Sequence, residues 1–247
     1  MKDQSISRSD LNLLRQYDTP TVCNVIELFN VRPRNTGFMD SRSKACFPEM
    51  PPMVGYASTA TFRSAGPPGK GDAYSSLDRQ VAAFSEIPAP AVVVFQDLDD
   101  PPVGATFGEI MCTTYQAFGA VGLITSGGGR DVDQVRAIGF PIFCNGTICA
   151  HGYCHVPTIH VPVHVGGIMV YQGNLLHGDC NGVTTVPHDI ASDVAHTCEE
   201  YVAAEAVILE YLKSGSPTSR GLAEACAESS RLMATLRKRL TRKDHRD

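Results

Sequence analysis

Residues 120–131 read Ala120-Val121-Gly122-Leu123-Ile124-Thr125-Ser126-Gly127-Gly128-Gly129-Arg130-Asp131. The first half is a short apolar run of the kind buried on both faces of a sheet, and the second is a glycine-rich turn. Val132, Val135 and Ile138 then recur at helical spacing, and the apolar segment 141–144 follows. Upstream, Ala91-Val92-Val93-Val94-Phe95 forms a second buried strand, separated from the first by a helix expected from about 108 to 118. Two successive strand-helix-strand steps predict a parallel sheet with right-handed crossovers, and therefore an α/β fold.

Working outward, Val22, Val25, Ile26 and Phe29 mark a helix opened by Asp18 or Thr19 as cap and Pro20 in its first turn. The stretch 32–52 has no sustained period and is expected to be irregular, and 55–62 has the small and β-branched character of a strand. Beyond 144 the pattern becomes β-rich, with short strands expected at 159–165, 168–171 and 183–186. His177 and Asp179 fall in the segment read as a connecting loop. Val202, Ala206, Leu209 and Leu212 follow one helix face before a break at Ser214-Gly215-Ser216-Pro217, and a last helix is expected from about 222 to 240. The organisation expected is one α/β domain over 1–213, its N-terminal helices included, with a helical extension over 214–247.

Composition narrows the function. The 247-residue chain is 43% hydrophobic with a net charge of −5, which argues against a disordered chain and against a surface that tracks phosphates, so no nucleic-acid partner is expected. The cluster Arg237, Lys238, Arg239, Arg242 and Lys243 reads as a solvated helix terminus. No apolar run approaches the roughly 20 residues that span a bilayer, and the polar start lacks a signal segment. The expectations are a cytoplasmic location, no membrane partner, and nine reduced cysteines.

Glycine-rich turns between strand and helix are where open α/β sheets place ligands, because backbone amides and the positive helix end share one opening. Two such turns occur, one running from Gly104 through Gly108, Glu109, Ile110 and Met111, the other ending in Arg130 and Asp131. The guanidinium can grip a carboxylate and the Asp can hold a hard divalent cation, a combination suited to a 2-oxo acid. An exposed ion pair, or Asp131 acting only as a helix cap, would read the same way in sequence.

The ordered blocks Gly108-Glu109, Gly119-Ala120-Val121-Gly122, Gly129-Arg130-Asp131, Phe140-Pro141-Ile142-Phe143 and Gly173-Asn174-Leu175-Leu176-His177-Gly178-Asp179 resemble the family of 4-hydroxy-4-methyl-2-oxoglutarate aldolases and RraA-like regulators of ribonuclease E. The resemblance runs over roughly residues 20–213. It implies a swivelling-domain type of α-β-β-α sandwich, assembled as homotrimers or hexamers with sites at subunit boundaries. It further implies that Asp131 holds Mg²⁺ or Mn²⁺, that Arg130 binds substrate, and that Glu109 supports the metal through water. The Gly108 turn with the amides of Ile110 and Met111 would bind the substrate carboxylate, and Glu205 of a neighbouring subunit would complete the site through water. The expected activity is that of a class II lyase releasing pyruvate from a small 2-oxo dicarboxylic acid, by aldol cleavage or oxaloacetate decarboxylation. A metal ion and a guanidinium would offset charge on the enolate oxygen without a lysine Schiff base. The same family implies an alternative, a non-catalytic trimeric regulator that binds a ribonuclease E-type partner.

Other constellations carry less. Gly66-Pro67-Pro68-Gly69-Lys70-Gly71 has prolines where a phosphate loop needs amides. The Cys144–His155 segment spaces its cysteines five apart, unlike zinc knuckles, which leaves His151 and His155 as possible pocket groups. No cysteine has the paired base of a nucleophile. The His177 and Asp179 pair reads as a turn held by side-chain hydrogen bonds.

Overall fold

A computed structural model describes residues 5–243, the side chains of Arg242 and Lys243 excepted. Seven strands form the main sheet: β1 (Lys44–Ala45), β2 (Met53–Phe62), β3 (Ala91–Asp97), β4 (Ala120–Thr125), β5 (Ile142–Cys144), β8 (Leu175–Asp179) and β9 (Gly182–Val186). Their order is β1-β5-β4-β3-β2-β8-β9, and β6 (Val163–Val165) pairs with β7 (Ile168–Val170) in a separate hairpin. Strands β2 to β5 run parallel, with Ser58 opposite Val93, Val93 opposite Leu123 and Leu123 opposite Ile142.

Alternation along β3 divides the interior. Val93 and Phe95 point into a core with Phe107, Met111, Cys112 and Tyr115, contributed by α4 (Glu109–Ala117) and the loop before it, and with Val135 of α5 (Val132–Ala137). Val92 and Val94 point the other way, against Val163, Val165 and Val170 of the β6-β7 hairpin. A strand with two such faces must be apolar at consecutive positions, which is the pattern of 91–95. Burying each of these larger side chains contributes about 1.5–3 kcal/mol.

A third core lies under the helices α1 (Arg8–Leu14), α2 (Thr19–Phe29), α6 (Ala191–Lys213) and α7 (Ser219–Lys243). They cover Val54 and Tyr56 of β2, Leu175 of β8 and Val186 of β9. Asp18 caps α2 by accepting the Thr21 amide at 2.7 Å, with Pro20 in the first turn. Leu236 and Leu240 bring α7 back onto this layer. The short α3 (Leu77–Ala82) closes the edge of the first core. No helix among the described residues is long and apolar enough to cross a membrane.

Four sequence expectations are corrected. The segment holding His177 and Asp179 is a fully buried strand, β8, which pairs on both sides with β2 and β9. Its two polar residues escaped recognition because they are satisfied by another element: the Thr19 amide donates to Asp179 Oδ2 at 3.0 Å, and Thr19 Oγ1 lies 2.9 Å from His177 Nδ1. The strand expected at 159–165 shortens to Val163–Val165, leaving Ile159 in a single bridge to Ala60. Helix α6 starts at Ala191, well before the apolar face at Val202, since its first turns bury small residues such as Ala191 and Ala195. Within 32–52, otherwise irregular, Lys44–Ala45 adds an edge strand antiparallel to β5.

Candidate active site

The two glycine-rich turns meet. Thr106 donates its amide to the Gly128 carbonyl at 2.8 Å and its hydroxyl to the same oxygen at 2.9 Å, so the loop after β3 lies along the turn after β4. Arg130 donates its amide to the Phe107 carbonyl at 3.1 Å, which sets its side chain beside Gly108 and Glu109. From the other side the chain after β5 supports the turn: Asn145 donates its amide to Gly127 O, Gly129 to Gly146 O, and Ile148 to Gly129 O. A Cβ on Gly129 would fall inside the Phe107 ring, so that position admits only glycine without displacing the core.

Asp131 has φ 57° and ψ 39°, left-handed backbone that a non-glycine residue adopts at a cost of about 1–2 kcal/mol. Although it opens α5, its carboxylate makes no hydrogen bond to that helix. Oδ2 instead accepts the Glu109 amide at 3.0 Å, at the first turn of α4, and lies 3.6 Å from Arg130 Nε. The ion-pair and cap alternatives left open by sequence therefore both describe part of Asp131: it caps the opposite helix and stands next to its own arginine. At 3.6 Å the Arg130 contact is too long for a hydrogen bond and is an ion pair only. Its Nη2 donates to the Tyr74 hydroxyl at 3.1 Å, and the Tyr74 ring meets the His151 ring edge-on at 6.4 Å.

Arg130, Asp131, Gly108 and the start of α4 are thus brought together. The Ile110 and Met111 amides occupy the first turn of α4 and have no intrahelical acceptors, so they and the helix dipole favour an anion. The Ile110 side chain is exposed and that of Met111 is buried in the core, so each contributes to this opening through its backbone. Glu109 is exposed at the mouth. Glu205 is held elsewhere on the chain, beside Tyr201 on α6, where its charge helps burial push the Tyr201 hydroxyl up to about 12. His155 lines a separate cleft of about 450 Å³ with Lys70 and Arg79, while His151 stands nearer Arg130 through Tyr74.

The donor set suits a hydrated divalent cation. No group of three or more His, Cys, Asp or Glu side chains able to hold a metal occurs among the described residues. An ion at Asp131 would rest on one carboxylate, with water and ligand oxygens filling the other positions, a mode typical of Mg²⁺. Asp131 Oδ1 is the oxygen left for it, Oδ2 being engaged by Glu109.

Two features had no usable sequence signal. Tyr74 reaches Arg130 across 56 positions of the chain from a single 3₁₀ turn, Tyr74–Ser76, that has no distinctive sequence pattern. Asp97, at the end of β3, is 9% exposed with no hydrogen-bond partner for Oδ2 among the described residues, and burial raises its carboxyl to about 6.

The fold is that of the RraA-like family. Residues 19–185 match its model, described as Aldolase/RraA, and the chain belongs to this family. It is 33% identical over 100 residues to a Halalkalibacterium halodurans protein named "Putative 4-hydroxy-4-methyl-2-oxoglutarate aldolase", a match covering 40% of this chain and 48% of that protein. The chain thus spans about half the length of this curated relative. Among solved structures, an uncharacterized protein from Pseudomonas syringae superposes with a TM-score of 0.72 at 22% identity, covering 92% of this chain and 97% of that one. Streptomyces coelicolor RraAS2, described as an unusual member of the RNase ES inhibitor RraA protein family, gives 0.63 at 22% identity, covering 82% and 97%. These two likenesses establish the shared fold.

Proposed function

We propose that this protein is a divalent-metal-dependent lyase that releases pyruvate from a small 2-oxo dicarboxylic acid, by cleaving a 4-hydroxy-4-methyl-2-oxoglutarate-type aldol or by decarboxylating oxaloacetate. The observation that carries this reading is the convergence of Arg130, Asp131 and the first turn of α4 on one opening. A substrate carboxylate would accept from the Ile110 and Met111 amides, where the helix dipole favours it. The Arg130 guanidinium would face the keto oxygen and offset the charge that develops there as the C–C bond breaks. Tyr74 holds that guanidinium in place. Mg²⁺ or Mn²⁺ at Asp131 would supply Lewis-acid charge to the same oxygen and lower the pKa of bound water. Glu109, at the mouth, would accept a proton through water. Assembly as a homotrimer or hexamer, with Glu205 of a neighbouring subunit near the opening, and a cytoplasmic location complete the proposal. The name of the Halalkalibacterium relative supports the reaction class.

The test is pyruvate release from oxaloacetate and from 4-hydroxy-4-methyl-2-oxoglutarate, with and without Mg²⁺ or Mn²⁺. A metal-stimulated rate that falls by about 10²–10³ in Arg130→Ala is expected. If Arg130→Ala and Asp131→Ala leave that rate intact, the site assignment is wrong. If no rate is found with either substrate, a non-catalytic regulator of a ribonuclease E-type partner becomes the better reading of the scaffold.

A further inference from the structure

Strand β1 lies at the sheet edge, with Lys44 opposite Cys144 and Ala45 opposite Phe143. The next residue, Cys46, donates its amide to the Ile142 carbonyl at 2.9 Å, which extends the pairing by one position. Cys46 and Cys144 are therefore diagonal neighbours on one face of the sheet, and both pack against the core beneath α4 and α5. Their sulfurs are 3.1 Å apart. Cys144 Sγ also lies 3.1 Å from the Gly146 carbonyl, which can only accept, so the Cys144 thiol donates there and the Cys46 thiol donates to Cys144.

We propose that Cys46 and Cys144 are a redox modification site, a reversible dithiol–disulfide couple closed by a low-molecular-weight disulfide. Cys46 is the partly exposed member and Cys144 the buried one, which assigns the order of events. The Cys46 thiolate attacks one sulfur of the oxidant and expels one small thiolate. Cys144 then attacks Cys46 Sγ of the mixed disulfide, forming the intramolecular bond and expelling the second. Two electrons pass from protein sulfur to oxidant sulfur, and the two thiol protons go to the two released thiolates. The sulfurs need to approach by about 1 Å to reach bonding distance, and β1 is a two-residue edge strand able to supply that shift.

The couple reaches the Arg130 turn through one atom. Gly146 O accepts both the Cys144 thiol and the Gly129 amide, the latter at 3.1 Å. Closing the disulfide removes the thiol proton from that oxygen and draws Cys144 toward the edge, loosening the segment that supports Gly127 and Gly129. This inference does not rest on the lyase reading.

The experiment exposes the full-length protein to oxidised glutathione, blocks free thiols with N-ethylmaleimide and maps tryptic peptides by mass spectrometry. A dithiothreitol-reversible link between the Cys46 and Cys144 peptides is expected, with two fewer of the nine thiols alkylated. Cys46→Ser should abolish the link while the exposed Cys149 and Cys180 still react. A glutathione adduct that persists on Cys46 with Cys144 still free, absence of any link, or a link between other cysteines would overturn the proposal. In the oxidised wild-type protein, amide hydrogen exchange across 127–131 should quicken about fivefold, the scale of one hydrogen bond. Unchanged exchange there would overturn the connection to the turn.

Discussion

The Asp131 carboxylate accepts the Glu109 amide at 3.0 Å, so the acid that ends one glycine-rich turn caps the helix opened by the other. One oxygen has a structural duty and the second is the one proposed to hold the metal, and substitution can separate the two. Asp131→Asn retains an acceptor for the Glu109 amide and tolerates left-handed backbone, so its melting temperature should stay within about 2 °C of wild type. Asp131→Ala loses the cap, at about 1 kcal/mol, and should melt about 2–4 °C lower. Metal-stimulated pyruvate release should collapse in both. An active Asp131→Asn would remove the metal from Asp131.

Gly108 presses against the same carboxylate. A Cβ there would lie 2.6 Å from Asp131 Oδ2, the end of a half-buried side chain that can swing aside. Gly108→Ala should therefore cost activity more than stability. At Gly129 the added carbon meets the Phe107 ring within the core, and Gly129→Ala should cost about 1–3 kcal/mol in urea unfolding. Equal loss of stability in the two variants would contradict this division.

Tyr74 acts through Arg130. Tyr74→Phe removes one hydrogen bond to a charged group and should lower kcat/KM about tenfold while leaving the fold intact. Steady-state kinetics on the purified variant, with circular dichroism as the control for folding, would show it. Wild-type kinetics in Tyr74→Phe would mean that the guanidinium is positioned by its backbone alone.

His177 holds helices to the sheet. Its Nε2 donates to the Leu14 carbonyl at 3.0 Å, so Nδ1 accepts from Thr19 Oγ1 in the neutral ring. Burial lowers its pKa below the ordinary 6.5. The folded state thus binds fewer protons than the unfolded chain, and stability from this residue is present above pH 6.5 and is lost as pH falls from there toward the folded pKa. His177→Ala should be about 3 kcal/mol less stable at pH 8, and its stability should fall less steeply below pH 6.5 than that of wild type. Parallel pH profiles would rule out His177 as the source.

Asp97 has the opposite sign. Its carboxyl, raised from 3.8 to about 6, binds a proton more readily folded than unfolded, so its contribution is full below pH 3.8 and is lost as pH rises through 6. Asp97→Asn, which cannot ionise, should therefore be stabilised at pH 8 by roughly 1 kcal/mol once solvent screening is allowed for, and gain much less near pH 4. Equal gains at both pH values would point to packing instead of charge.

The apolar runs 91–95 and 120–125, the glycine turns and the helix signals at Asp18 and Pro20 were sufficient to read a parallel α/β sheet, because strand burial and helix capping act over a few neighbouring residues. The same local signals marked Arg130, Asp131 and Gly108 as a place for chemistry. What β8 is, that Asp131 caps α4 and not its own helix, that Tyr74 steadies Arg130 and that Cys46 touches Cys144 were decided only by tertiary structure. In each of these a polar group is satisfied by a partner from another element, 22 residues away for Asp131, 56 for Tyr74, 98 for Cys46 and 158 for His177, and hydrogen bonds at such separations leave no periodicity along the chain.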